Sequence, residues 1–442
     1  MRARLFGFAT AVACTVAVGL AANAQQPSCD ALSSWFPHSQ TPDPDAFPLP
    51  FNSNCAFHQW SWNAFLWLTQ SVDGAPRFQG FSANGIGTKR GVLDPLIGRS
   101  AKARAIELIQ QAGPDGVMVD RQGHPIYYSI HSNPVFGGFI RKNDLLDPAK
   151  LRAFDPKTPF PKGTLTLKAA WKVVAKGDDV STYYIRSARI ARLNVRNGKI
   201  VVDPTRTRIA RVALVGFHIA GTVEGHPEMI WATFEHRQNA PDLPKAADAM
   251  DPNDKVSDKD WTFYKANTPF KSCNVNSAGA GALTLDRGQQ TLSPVTQVCR
   301  IVPYGSTLDE SGISNKNNIT SLNDSVHAKL KGVWNNYFEV GAVWFNAQNY
   351  LPPDCTFQPG ALECPVTPGK ALMTGSTKLS NSTIETFTQS QSAQQNCFAC
   401  HNTVQVSSEN TKAPSLPGLD VNLSHVLIND YFTAASKPGS QQ

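Results

Sequence analysis

Hydrophobic positions change their period along this chain. Residues 55–69 (CAFHQWSWNAFLWLT) are apolar nearly all round and include Phe57, Trp60, Trp62, Phe65 and Trp67. That pattern predicts a helix buried on every side. Residues 100–111 predict a second helix, opened by a Ser cap and stopped by Gly113-Pro114. In the middle of the chain the period falls to two. Residues 164–174 and 180–195 read as strands separated by Lys176-Gly177-Asp178. Asn197-Gly198 joins 193–196 to 199–202 as a two-residue hairpin, because Asn and Gly tolerate the positive φ that such a turn demands. Residues 209–223 and 228–236 predict a further hairpin with its turn near Gly225-His226. Four or more neighbouring strands imply a large antiparallel sheet.

Beyond the strands, residues 253–302 are loop-rich, and the small-residue run 277–281 lacks the strand, helix and Lys of a phosphate loop. Ser321-x-x-Asp324 predicts a helix cap followed by the stripe Leu322, Val326, Leu330, Val333 and Tyr337. A strand over 339–346, a Pro-rich passage over 352–368, and short helices over 382–390, over 397–403 and from about residue 423 complete the chain. The fold class is α+β: a β-rich body with a large antiparallel sheet, flanking helices and a short helical C-terminal segment. The predicted divisions are a leader (1–24), the body with its buried N-terminal helix (25–350), a Pro-rich connector (351–369) and a segment packed on the body (370–442).

The leader reading rests on Arg2 and Arg4 before an uncharged apolar run, residues 5–20, and on Ala22-Asn23-Ala24, a small-x-small cleavage pattern. It predicts export, with no later run long enough to be an integral membrane anchor. The 41 Lys and Arg against 34 Asp and Glu give a formal charge of +7. Losing Arg2 and Arg4 with the leader leaves 39 basic residues and a balance of +5, too slight to predict nucleic-acid binding. Cysteine usage fits an oxidising compartment. Setting aside Cys14 in the leader and one Cys-x-x-Cys pair, six cysteines remain, and their spacing suggests the bridges Cys29–Cys55, Cys273–Cys299 and Cys355–Cys364.

The remaining pair carries the chemistry. Cys397-Phe398-Ala399-Cys400-His401 is the attachment pattern of c-type haem. Two thiols can form thioethers to the porphyrin, and the next His can ligate iron. A redox disulfide or half a zinc site are the alternatives, and the second ligand pair a zinc site needs is missing at any matching spacing. The predicted cofactor is one covalently attached haem c, held by Cys397, Cys400 and His401. The second axial position is open to several readings, because no Met follows His401. His425 in a short helix, Met373 upstream, a body residue or an open site could each complete it. His218, His226 and His236 with Glu224, Glu228 and Glu235 suggest a metal centre, yet the predicted hairpin register staggers His218 and His236, which favours structural roles. His58 on the Trp-rich helix reads as a core histidine, and a Gly-x-Ser-x-Gly nucleophile motif is absent.

Residues 379–387 (LSNSTIETF) followed by Cys397 to His401 resemble the C-terminal pattern of large exported bacterial mono-haem proteins of the cytochrome c family. Lys168-Ala169-Ala170-Trp171 and residues 229–236 (MIWATFEH) are similar to stretches in the body of that group. The resemblance implies covalent haem and a periplasmic address, and it carries over only Cys397, Cys400 and His401 as functional positions. The expected role is electron transfer with a redox partner protein or a small-molecule donor or acceptor. The alternative is a haem enzyme of peroxidase or oxidase type, or one handling small ligands, at an open or labile iron site. With 41 residues after His401, the tail is expected to borrow part of its pocket wall from the body.

Overall fold

The computed structural model describes residues 29–37, 54–83, 116–305, 315–345, 380–389, 397–408 and 413–436, with a few isolated positions and short pieces between 349 and 376. The helix expected at 100–111 and the cysteines Cys355 and Cys364 lie outside the described residues.

An eight-stranded antiparallel sheet organises the body. Its strands in chain order are β1 (Ser82–Ala83), β2 (Tyr127–Ser132), β3 (Leu165–Val173), β4 (Ile185–Arg196), β5 (Lys199–Val223), β6 (His226–His236), β7 (Tyr337–Phe345) and β8 (Met373–Gly375). Across the sheet the order is β8-β7-β6-β5-β3-β2-β1, and β4 pairs with the first half of β5. The Asn197-Gly198 turn closes the β4–β5 hairpin with φ of 51° and 75°, the two positive values the turn requires. In the next hairpin Val223 pairs with His226, so the loop is Glu224-Gly225, one residue earlier than the pattern suggested, with Gly225 taking φ 74°.

One face of this sheet is apolar. Against it lies α1 (Asn54–Thr69), whose Trp60, Trp62 and Phe65 meet Leu167, Phe217 and Phe234 in the main core. Phe65 stacks on Phe234 at 4.4 Å and Phe57 on Trp344 at 4.0 Å. An added Cβ at Gly221 would come within 2.7 Å of the Trp60 ring, so the helix and β5 touch where only glycine fits. Beside α1 runs α2 (Asn315–Lys329). His58 bridges the two elements, one ring nitrogen on Glu339 and the other on Asn315, both at 2.8 Å. It is a core histidine with both nitrogens engaged.

Several boundaries differ from the sequence pattern for identifiable reasons. The helix expected to be capped at Ser321 already runs from Asn315, because Asn315 and Asn318 are buried in tertiary contacts that outweigh their weak helix propensity. Ser321 sits inside it, with its hydroxyl on the carbonyls of Cys29 and Asn318. The stripe ends early. Gly332 takes φ 75°, Val333–Asn336 form a 3-10 turn, and Tyr337 opens β7. β4 starts at Ile185, not near residue 180, since the Asp179 carboxylate ties Ser181 into a turn. Two expected bridges form, Cys29–Cys55 and Cys273–Cys299.

His131 on β2 and His236 on β6 are buried, and burial first of all lowers both to about 3 from the usual 6.5. Nearby Arg186 adds to this at His131, while the Thr182 carbonyl partly opposes it at His236. Neutral imidazoles therefore contribute stability that is complete above pH 6.5 and lost as pH falls toward 3, because only the unfolded chain takes up those protons. The midpoint of thermal unfolding should fall continuously from pH 7 to pH 4. Replacing His236 by Phe, which keeps a ring beside Tyr183, should make that slope shallower by about one proton.

Candidate functional site

The opposite face of the sheet is polar where the central strands cross. Lys168 pairs with His218, which pairs with Thr233, and two positions further along β6 lies Glu235. Covering them is residues 380–389, a run of bends and turns rather than the expected helix. Long-range bonds compete with helix formation there. The Glu235 carboxylate accepts the Ser382 N–H at 2.6 Å and the Ser382 hydroxyl, while Asn381 donates to the Thr233 hydroxyl. Asn381 also accepts from the Thr383 and Ile384 amides at 2.8 and 2.7 Å, and Tyr128 donates its hydroxyl to the Thr383 carbonyl at 2.6 Å. His218 Nε2 lies 2.8 Å from the Glu385 carboxylate in a hydrogen bond. Gly216 leaves room for this segment: a Cβ there would collide with the Thr383 side chain.

Glu235 is itself held by Arg300, whose guanidinium donates to it at 2.9 and 3.2 Å and also reaches Asp242 and the Ala240 carbonyl. Both members are buried, and removing one strands the other charge.

The Cys-x-x-Cys-His turn follows in sequence after residues 390–396, which lie outside the described residues. Cys397–Ala399 form one 3-10 turn, and the Cys400 and His401 amides both donate to the Cys397 carbonyl, at 3.2 and 2.7 Å. The helix expected over 397–403 stops there. Phe398 is fully buried, its ring 4.3 Å from Phe345 on β7, so the turn is plugged into the body. Cys397 and Cys400 are both free thiols, the second exposed. Surrounding protein and then the Glu385 carboxylate raise both above the usual thiol value. A redox Cys-x-x-Cys needs the reverse, a thiol lowered so that the thiolate attacks.

His401 is fixed on three sides. Its Nδ1 donates to the Leu423 carbonyl at 2.8 Å, one ring face lies 4.1 Å from Trp231 on β6, and His425 stacks on it at 3.9 Å and 20°. Its Nε2 makes no hydrogen bond with a described residue. Burial, then His425, lowers this imidazole well below its usual value and keeps it neutral. A metal-ligating histidine has this form: neutral, one nitrogen tied to a carbonyl, the other available. With two unbonded thiols one turn away, the residues fit covalent haem attachment, Cys397 and Cys400 as thioether donors and His401 as ligand.

His425, first residue of α3 (His425–Ala435), is brought to the site. Its ring overlaps that of His401 face to face, and its Nε2 bonds the Cys400 carbonyl at 2.9 Å. Met373 pairs in register with Phe345, the residue whose ring packs on Phe398. The other histidines go elsewhere. His226 bonds Glu228 at 2.8 Å, and His236 stacks on Tyr183 at 3.6 Å. Among the described residues no three of His, Cys, Asp and Glu converge as a metal set. Sequence reasoning missed Trp231, Leu423, Lys168 and Glu385. Trp231, Lys168 and Glu385 carried a signal only as members of the MIWATFEH, KAAW and LSNSTIETF stretches, and Leu423 carried none. Lys168 lies over the Tyr128 ring at 4.7 Å, and burial takes its amine down to about 8, partly offset by Glu385.

Comparison of the chain with protein-family models, with curated proteins and with solved structures finds no match.

Glu235→Ala should cost about 3–5 kcal/mol in denaturant unfolding, because Arg300 is left buried without its main partner. The same variant should speed protease cleavage within 380–389. Adding Arg300→Met should recover part of the loss, since an apolar side chain carries no stranded charge.

Proposed function

We propose that this chain is an exported, periplasmic c-type cytochrome carrying one covalent haem for electron transfer. The observation that carries the reading is the pairing of two unbonded thiols with a neutral histidine whose Nδ1 is already spent on the Leu423 carbonyl. Cys397 and Cys400 would hold the porphyrin by thioethers, and His401 would offer its Nε2 to the iron. Bound haem supplies a one-electron couple tuned by its ligands, its burial and nearby hydrogen bonds. The chain's own residues do the positioning. Phe398 anchors the turn in the body, Trp231 and His425 hold the imidazole plane from its two faces, and Leu423 sets its tautomer. Cys400 is the exposed point of the turn, where a redox partner protein or a small-molecule donor or acceptor would approach. No helix among the described residues is long and apolar enough to cross a membrane.

The group Lys168, His218 and Glu385 beside the motif favours a second reading, a haem enzyme with an open or labile distal site. Those side chains could move protons next to a bound small ligand. Absorption spectra with and without carbon monoxide separate the two readings. A low-spin spectrum unchanged by the gas is expected for electron transfer, and rapid binding would favour the enzyme.

Replacing Cys397 and Cys400 together by Ala should abolish haem that survives denaturing electrophoresis. His425→Phe should keep the spectrum, because it keeps the stack. His425→Ala should lower stability by about 0.5–1.5 kcal/mol with the same axial ligation. Conversion of the alanine variant to high-spin haem would return His425 to the role of distal ligand.

A further inference from the structure

Residues 186–211 carry eight Lys and Arg against one carboxylate, Asp203. In sequence they are scattered at intervals of two to seven, and pairing of β4 with the first half of β5 gathers them. Ala188, Ile190 and Leu193 are buried and mark the core side of the ribbon. The alternate positions Arg189, Arg192 and Arg196 face outward. Register sets Lys199 opposite Arg196, Arg211 opposite Ser187 and Asp203 opposite Arg192. Arg196, Lys199, Arg206 and Arg211 are exposed, and Arg189 and Arg192 half-exposed. Arg192, Arg196, Arg206 and Arg211 form no ion pair with a described residue. Other exposed cations in this fold do: Lys162 is bonded to Glu224 and Lys245 to Asp254.

We infer that this cationic ribbon docks the protein onto an anionic phospholipid surface. Charge complementarity and shape both favour that occupant. The ribbon is two strands wide, bulges between Ala191 and Arg192 and extends beyond the last β3 pairing, Val173 with Val212, so it presents an open strip and not a pocket. Arg dominates, and its planar fork matches phosphate oxygens better than an ammonium does. Ile209, 51% exposed on the same face opposite Arg189, adds an apolar contact at headgroup depth. No aromatic residue lies between 185 and 211. The ribbon therefore lacks the stacking platforms of single-strand nucleic-acid binders and the Trp or Tyr anchors that dominate protein interfaces.

The placement suits a peripheral protein. The tip is at Lys199 and the haem-facing row crosses the same strand at His218, nineteen residues on, roughly 60 Å at 3.3 Å per residue before bends. A protein seated by the tip leaves the Cys-x-x-Cys-His end clear. The inference draws on the export reading and is independent of haem, so loss of the haem proposal leaves it standing.

The test is co-sedimentation of the mature exported protein with phosphatidylcholine vesicles, with and without 30 mol% phosphatidylglycerol. Binding is expected only to the anionic vesicles. It should weaken more than tenfold between 50 and 300 mM salt, at roughly fivefold per cation engaged. Arg196→Gln, Lys199→Gln and Arg211→Gln together should weaken it roughly a hundredfold. Gln at the exposed Lys176, Lys259 and Lys265 should leave it unchanged. If the triple variant misfolds, as judged by its near-ultraviolet dichroism, the salt dependence of the wild-type protein decides the question by itself. Equal binding to neutral vesicles, no binding at 50 mM salt, or insensitivity to the triple variant each overturns the inference. Tighter binding to an acidic polypeptide or a DNA duplex than to anionic vesicles overturns it in favour of that partner class.

Discussion

The buried pair Glu235–Arg300 is the constraint on which the site depends. Two charges taken from water cost more than their mutual attraction returns unless the remaining bonding capacity is used, and here it is. Arg300 divides its donors among Glu235, Asp242 and the Ala240 carbonyl, while Glu235 also accepts the Ser382 amide and hydroxyl. One carboxylate on β6 thereby fixes the loop region that carries Arg300 and the segment that leads to Cys397. Nothing in an apolar contact would set the register of residues 380–389 on the sheet so narrowly, since apolar surfaces slide with little penalty and paired polar groups do not.

Elements with a strong period were legible in the sequence. The aromatic run of α1, the Asn197-Gly198 turn and the β5–β6 hairpin each follow from local chemistry that tertiary contacts only reinforce. Where a local signal misled, a long-range bond had outweighed it. Ser321-x-x-Asp324 looks like a cap, yet the Asn-rich turn before it is helical, with Asn315 buried and bonded to His58, the Tyr304 carbonyl and Ser376. Residues 382–390 read as a helix, yet the Ser382 and Thr383 carbonyls that would accept its first bonds are taken by the Thr386 and Tyr128 hydroxyls.

The site divides in the same way. Cys397, Cys400 and His401 declare themselves by spacing. The group that orients His401 comes from β6 and from the start of α3, widely separated in sequence. His425 was legible as a nearby histidine and not as a stacking partner, because its role depends on which way the ring faces. The cationic strip was illegible for a related reason: its members are dilute in sequence and become a patch only when two strands pair. A formal charge of +7 over all 442 residues conceals that an excess of seven is gathered within 26 of them, and it is the local excess that meets a partner.

The two faces of the sheet explain why the segment leading to the Cys-x-x-Cys-His turn belongs to the body and is not an appended module. On the α1 side, β3, β5 and β6 offer Leu167, Phe217 and Phe234, and a helix of aromatic residues covers them. On the other side the same strands offer Lys168, His218, Thr233 and Glu235, which a helix of that kind could cover only by leaving polar groups unsatisfied. Residues 380–389 supply what that face needs: Glu385 for His218, Asn381 for Thr233 and Ser382 for Glu235. Without the segment the sheet would expose a charged stripe and the Arg300 pair would open to water. Without the sheet the segment would lose the bonds that shape its turns, and the Cys-x-x-Cys-His turn would lose the Phe345 and Trp231 walls. Folding of the body and construction of the site are one event.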